Sequence, residues 1–197
     1  MSQAFFVSET DAPAKREIMV EALRLFSRKG LRETTIRDIA AAAGYTNPAL
    51  YKHFESKDAL ALELFVACYR ECVHMLDAKM GGSDSFDLKL RALVRTFTAG
   101  FDAYPDAVIF AVDHLSTFWS EVPRAMKRRT IITLIRELIE MGEAEGCVPR
   151  NIDIEVRVSV IAGALGQLSR LVYLGGISGP ASKYDDDLEQ TLRRALS

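Results

Sequence analysis

Apolar residues recur at the spacing of an α-helix along almost the whole 197-residue chain. No segment of any length alternates apolar and polar residues as a half-buried strand does. The first segment with helical spacing places Ile18, Ala22, Leu25 and Phe26 on one helical face, and Gly30 predicts the end of that helix. The pattern predicts an all-α fold. With 49% hydrophobic residues the chain can bury a substantial core, in one or two compact domains.

Start and stop signals predict three more helices close behind the first. Thr35-x-x-Asp38 predicts a capping box at the start of the second helix, which ends at Gly44. A third, very short helix capped by Thr46 or Asn47 is predicted to run through residue 54, and residue 56 is predicted to cap a long fourth helix. Three helices in about 40 residues, with a Gly-containing turn between the second and third, are typical of a helix-turn-helix.

The rest of the chain is predicted to form five further helices. They are expected at 86–103, 105–120, 123–145, 152–174 and from about 183 to the C-terminus. Charge is distributed unequally along the chain. Residues 13–57 hold nine basic and five acidic residues, whereas residues 61–197 hold sixteen basic and nineteen acidic ones. A polyanion partner is therefore permitted for the first part only.

The short third helix places hydrogen-bond donors on its outer face. At 100° per residue Leu50 and Phe54 lie together and are expected to face inward, which leaves Tyr51 and Lys52 pointing outward. Hydroxyl, ammonium and imidazole groups suit phosphate oxygens, so the pattern favours contact with a DNA backbone. Taken singly, Tyr51 and His53 are equally typical of residues that pack against a helical bundle.

Residues 26–60 run FSRKGLRETTIRDIAAAAGYTNPALYKHFESKDAL. They resemble the TetR/AcrR family of bacterial transcriptional regulators, whose pattern is Gly, Thr-Thr, a short helix, Gly, a recognition helix ending Leu-Tyr-x-His-Phe, and Ser-Lys-x-x-Leu. The segment departs from that pattern at Asn47-Pro48, where many members have a charged residue followed by Gly. The resemblance implies a DNA-binding domain at 13–57 and a helical domain for ligand binding and dimerisation at 58–197. Residues 1–12 are expected to be a flexible tail.

The resemblance also implies which residues contact double-stranded DNA. Those expected at phosphates are Thr35, Tyr51, His53 and Lys57. Those expected to face the bases are Arg37, Asn47, Pro48, Ala49 and Lys52. Arg37 and Lys52 suit guanine, Asn47 suits adenine, and the apolar pair suits a thymine methyl group.

A homodimer is predicted from the last two helices. A leucine stripe on the final helix has no later element to cover it: Leu188, Leu192 and Leu196. Small residues in the preceding helix would let another helix approach: Ala162, Gly166 and Ser169. Gly inside a helix costs about 1 kcal/mol relative to Ala, which favours a packing role in a two-fold four-helix interface. Packing of these residues within their own chain is the alternative.

Aromatic residues in the middle of the chain predict a pocket for a partly apolar small-molecule effector. The candidates are Phe97, Phe101, Tyr104, Phe110, His114, Phe118 and Trp119. Aromatic walls with a few polar groups suit such a ligand. A stripe at this spacing is also typical of a plain hydrophobic core, with His114 as a core residue.

No feature predicts a cofactor, a metal or an enzyme. Cys68 and Cys72 lie in an apolar stripe, and Glu71-x-x-His74 has no second copy with which to form a di-metal site. No signal peptide and no run of about 18 apolar residues occur, so we expect a cytoplasmic protein with no membrane partner. The sequence thus predicts a ligand-responsive transcriptional regulator, specifically a repressor that binds a palindromic operator as a homodimer and is released by its effector. The alternative is a dimeric helical interaction or ligand-binding module without operator binding.

Overall fold

A computed structural model of the protein describes residues 6–8 and 10–197. The regular structure of these residues is entirely helical, which confirms the predicted all-α fold. The α-helices are α1 (Pro13–Lys29), α2 (Ile36–Ala43), α3 (Asn47–Tyr51), α4 (Lys57–Met80), α5 (Phe86–Ala103), α6 (Pro105–Asp113), α7 (Leu115–Phe118), α8 (Ile131–Ala144), α9 (Ile154–Tyr173) and α10 (Asp185–Leu196). Short 3-10 turns lie at Met126–Arg128 and Ala181–Tyr184.

The chain divides into two compact units. The first unit comprises Met1–Glu71 with Asp106–Val122, and the second comprises Cys72–Pro105 with Pro123–Ser197. Residues of α4 therefore belong to both units, whereas the sequence predicted a boundary at residue 57. Of the predicted flexible tail, residues 1–5 and 9 lie outside the described residues, and the side chain of Phe6 is buried.

A series of neighbouring aromatic rings runs through the first unit. Successive ring centroids lie 4.7–6.1 Å apart. In order, the rings are Phe26, Phe110, His114, Phe118, Phe65, Tyr69 and Trp119. Burial lowers the pKa of His114, with the nearby Asp113 charge opposing that effect. Phe110 and Phe118 are buried among these rings, which is the arrangement expected of a packed core, the alternative to a ligand pocket.

Three predicted helices have different bounds in the structure. The third helix ends at Tyr51 rather than residue 54. The N–H groups of His53 and Phe54 both donate to the carbonyl of Leu50, so the regular series of one hydrogen bond per carbonyl ends there. The predicted helix 105–120 is interrupted at His114, where ψ is 10°. The predicted helix 123–145 begins only at residue 131, because the preceding segment is polar and Thr130 forms a capping box there.

Polar contacts join α5 to α10 and the turn before it. They recur every three or four residues along α5, so they form one row on that helix. The pairs are Asp87–Arg193, Arg91–Glu189 (3.1 Å), Arg95–Asp186 (3.0 Å), Thr98–Asp185 (2.6 Å), and Asp102 with the N–H groups of Ala181 (2.6 Å) and Ser182 (3.0 Å). This row holds α10 against its own chain.

The leucine stripe of the last helix is covered by earlier elements of its own chain, which is the alternative to the predicted dimer contact. Leu192 and Leu196 are each 1% exposed, because α10 packs on α5 and α9 of the same chain. Ser169 is also fully buried, and its hydroxyl donates to the carbonyl of Leu165. Leu188 and two small residues of α9, Ala162 and Gly166, are half-buried.

The exposed apolar surface of α9 lies on a different face. Its large residues are Val156, Val160 and Leu171, together with Leu174 at the C-cap of the helix, and they are 54%, 41%, 39% and 73% exposed. Gly163 lies between them in the sequence, and a Cβ atom added there would meet nothing within 4 Å. We call these four large side chains the α9 stripe.

Candidate DNA-binding surface

The start of α2 is fixed by the capping box that the sequence predicted. The Thr35 hydroxyl accepts a hydrogen bond from the N–H of Asp38 (3.1 Å), and the Asp38 carboxylate accepts one from the N–H of Thr35 (2.9 Å). Lys29 donates to the same carboxylate at 2.7 Å. The Lys29 ammonium, with the Thr35 N–H adding to it, lowers the pKa of Asp38 to about 2. Thr35 is exposed, and its own hydroxyl hydrogen remains available to an outside acceptor.

Helix α3 is seated by two buried residues and faces solvent elsewhere. Leu50 is fully buried and Phe54 is 3% exposed, which confirms that both face inward. Thr46 caps the helix, since its hydroxyl accepts from the N–H of Ala49 (3.4 Å). Tyr51, at 52% exposure, lies on the outer face. Among the other predicted DNA contacts on this helix and just after it, Pro48 and Lys52 are exposed, whereas Asn47, Ala49 and His53 are half-buried.

Two side-chain links that no sequence pattern indicates hold α1 against its neighbours. The Tyr45 hydroxyl donates to Glu17 at 2.6 Å, which ties the turn before α3 to α1, and this bond raises the pKa of Tyr45. Lys15 forms ion pairs with Asp11 (3.3 Å) and Glu63 of α4, and its hydrogen bond to Glu63 raises its pKa. Partners separated by 28 and 48 residues leave no spacing signal in a single sequence.

Lys57 has partners inside the protein. Its ammonium donates to the carbonyl oxygens of Leu31 (2.8 Å), Arg32 (3.3 Å) and Thr34 (3.0 Å), all in the segment between α1 and α2. Three donations use all three hydrogens of a lysine ammonium. Lys57 therefore ties the first turn of α4 to the helix-turn-helix, whereas the family resemblance implied a phosphate contact.

Two of the predicted base-facing residues keep their charges available. Arg37 and Lys52 are exposed, and neither forms an ion pair with any residue in 6–8 or 10–197. Other cations of this unit are neutralised by carboxylates, namely Lys15, Arg24 and Lys29. Exposed cations of this kind suit a polyanionic duplex.

The described residues were also compared with what a metal site or a membrane-spanning helix requires. Within residues 6–8 and 10–197, no cluster of three or more His, Cys, Asp or Glu residues could hold a metal ion. In the same part of the chain, no helix combines the length and the apolar character that crossing a membrane requires. Cys68 and Cys72 are buried in the apolar interior.

Comparisons with known proteins agree with this geometry. Residues 18–64 match the sequence profile of the bacterial regulatory proteins, tetR family. The chain is 33% identical over 153 residues to the HTH-type transcriptional repressor KstR2 of Rhodococcus jostii, covering 72% of this chain and 71% of that repressor. Such relatives are transcription regulators, not enzymes.

Solved structures share the fold over nearly the whole chain. The MbdR regulator from Azoarcus sp. CIB superposes with a TM-score of 0.79 at 24% identity, covering 93% of this chain and 99% of that one. The transcriptional regulator FadR from Bacillus subtilis, solved in complex with stearoyl-CoA, gives a TM-score of 0.76 at 12% identity, covering 92% and 98%. With the sequence match to a repressor over most of both chains, these findings establish that the protein belongs to the TetR family of bacterial transcription regulators.

Proposed function

We propose that the protein is a ligand-responsive repressor that binds a palindromic operator as a cytoplasmic homodimer. The observation that carries the proposal is α3. Its buried Leu50 seats the helix, while Tyr51 and Lys52 face solvent. Arg37 of α2 is also exposed, and it forms no ion pair with any of the described residues. A helix of five residues gains almost no stability of its own, so the capped scaffold around it must hold it in position.

The exposed residues divide into phosphate and base contacts by their chemistry. The hydroxyl groups of Thr35 and Tyr51 and the imidazole of His53 suit phosphate oxygens on either side of the groove. The residues proposed to face bases are Arg37, Asn47, Pro48, Ala49 and Lys52. For Lys57, the three internal carbonyl partners support a positioning role in place of the predicted phosphate contact.

The α9 stripe supports the homodimer. Four large apolar side chains that are 39–73% exposed along one helix need a partner, and the same helix of a second copy supplies a self-complementary one. Gly163 in the middle of that face would let the two helices approach closely. A two-fold dimer would place its two α3 helices in successive major grooves, about 34–36 Å apart.

Release by an effector requires a ligand that favours the state unable to bind DNA. The stearoyl-CoA bound by the FadR structure supports an effector with a large apolar part for this chain as well. Helix α4 runs from Lys57 to Met80. The proposed effector would act by displacing this helix, whose first turn carries the Lys57 contacts to the segment between α1 and α2.

Selection from random duplex DNA at near-physiological salt tests the proposal. The wild-type protein should enrich an inverted repeat. Lys52→Ala should weaken binding and relax the preference at a base position, whereas Tyr51→Phe should weaken binding to all sequences alike. A matched control is Arg124→Ala, an exposed cation of the second unit, which should bind as the wild type does. If folded wild-type protein enriches no sequence, the alternative of an interaction module without operator binding is correct.

A further inference from the structure

A groove in the second unit lies between residues of α4 and residues of α5. It has a volume of about 610 Å³, within the range of about 300–1,000 Å³ that ligand sites have. Only Tyr104 among the aromatic residues predicted for an effector pocket lines it. The groove is therefore a separate site from the aromatic rings in the core of the first unit.

The floor of the groove is formed by small apolar residues. Ala99 and Ala103, one turn apart on α5, and Ala78 on α4 are exposed to solvent within it. Gly100 lies beneath Met75, whose Cε would be 3.1 Å from a Cβ atom at that position. Larger aliphatic side chains here would fill the space, so the small residues leave a depression that an apolar chain can occupy.

The rim of the groove carries positive charge. Lys79, Arg95 and His74 are its charged or titratable residues, and no carboxylate lines it. Lys79 is exposed and forms no ion pair within the described part of the chain. Arg95 bonds to Asp186 at 3.0 Å, but both side chains are more than half exposed, and an exposed pair of this kind is readily exchanged for another anion.

We propose that this groove binds an anionic amphiphile. Its aliphatic or alicyclic body lies on the alanine floor, and its carboxylate or phosphate groups lie at Lys79 and Arg95. Charge complementarity selects this occupant, because an apolar floor alone would accept neutral and cationic molecules equally. A second copy of the chain fits less well, since the floor exposes no large hydrophobic side chain, whereas the α9 stripe exposes four.

The ligand is also placed to act on the rest of the second unit. An anion that recruits Arg95 competes with Asp186, and so removes one contact of the row that holds α10 against α5. Identification of this ligand with the effector rests on the proposed function. Binding to the groove does not, and it is measured without DNA.

Titration calorimetry with four ten-carbon probes tests the groove directly. Decanoate and decanoyl-CoA should bind the full-length protein, and 1-decanol and decyltrimethylammonium should bind at least about tenfold more weakly, because they lack the anionic group. Equal affinities of the two anions would show that a single carboxylate suffices. Tighter binding of decanoyl-CoA would show that the cations at the rim bind phosphate groups.

Two groove variants and one control make the test specific. Ala99→Trp fills the floor from an exposed position and should abolish binding of both anions while the circular dichroism spectrum is unchanged. Lys79→Glu should weaken both by about tenfold, whereas Arg124→Glu, with the same change of charge outside the groove, should not. Wild-type affinity in Ala99→Trp, equal binding of the cationic probe, or no binding of any probe would each overturn the proposal.

A gel-shift assay on the same preparations separates the two proposals. Protein that selects an operator but binds none of the probes would refute the groove alone. Protein that binds decanoyl-CoA in the groove but no DNA would refute the repressor function and leave the groove intact.

Discussion

Replacement of Lys57 by Ala separates a positioning role from a phosphate contact. The ammonium lies 2.8–3.3 Å from three backbone carbonyl oxygens between α1 and α2, and Ala removes all three donors at once. The first turn of α4 then loses its polar tie to the helix-turn-helix. We expect the variant to be less stable than the wild type before any DNA is added.

The size of that loss follows from the exposure of the site. Hydrogen bonds from a charged donor contribute about 1.5–3 kcal/mol each when their partners are left without water. Lys57 is only half-buried, so the freed carbonyls regain water and the net loss should be about 2 kcal/mol in total. For a cooperatively unfolding chain of this length, that loss lowers the melting temperature by roughly 4–8 °C.

Thermal unfolding and the salt dependence of DNA binding are measured together. Lys57→Ala should melt several degrees early and bind DNA weakly, with a salt slope close to that of the wild type. Lys52→Ala is the matched control, because Lys52 is exposed and has no internal partner within the described residues. Its melting temperature should stay within about 1 °C, and its salt slope should fall by about 1 if it contacts a phosphate as well as a base.

The opposite pattern would refute the positioning role. If Lys57→Ala unfolds as the wild type does and its salt slope falls by about 1, the ammonium leaves its carbonyl partners for a phosphate when DNA binds. The resemblance-based assignment would then be right, and the contacts of Lys57 would describe only the DNA-free state.

Three further perturbations test other parts of the structure. The pKa of Asp38 is lowered to about 2 by Lys29, so its contribution to stability is complete above about pH 4 and is lost as the pH falls toward 2; urea unfolding of Asp38→Asn should show lower stability at pH 7 and a smaller loss between pH 4 and pH 2. Arg157→Met should cost about 3–5 kcal/mol in denaturant unfolding, because loss of the buried guanidinium leaves the carbonyls of Ile152 and Pro149 without that donor and leaves Glu143 paired only with the exposed Arg150. Arg150→Met, at a residue that is 74% exposed, should cost less than about 1 kcal/mol. Leu171→Glu should give a monomer in sedimentation velocity with unchanged helix content; a dimer that persists would remove the α9 stripe from the interface.

Local signals explain which parts of the fold could be predicted from the sequence. Gly30, Gly44 and the Thr35–Asp38 capping box lie within a few residues of the helix ends that they determine, so their effect is visible in a single chain. The same applies to Leu50 and Phe54, whose inward positions follow from helical spacing alone. These signals were enough to locate the helix-turn-helix and the exposed face of α3.

Contacts between distant residues explain what could not be predicted. The row between α5 and α10 pairs residues separated by 79 to 106 positions, and its burial of the leucine stripe removed the surface that the sequence offered for a dimer. A leucine stripe at helical spacing is equally consistent with a partner in the same chain or in a second one. Only the position of α10 in the fold decides between these two partners, and no short-range sequence pattern predicts that position.

The same limitation applies to the charges of the helix-turn-helix, where it affects function directly. A prediction from the excess of basic residues in 13–57 assumes that every cation is equally available to DNA. In the folded chain Lys15 and Lys29 are bound to carboxylates and Lys57 to carbonyls. At the predicted contact positions, Arg37 and Lys52 are the cations that form no ion pair with any of the described residues. Because each cation that neutralises a phosphate adds to the salt dependence of binding, that dependence should follow the unpaired residues and not the net charge. The family pattern identifies the segment that binds DNA, and the internal partners determine which of its charges remain free to do so.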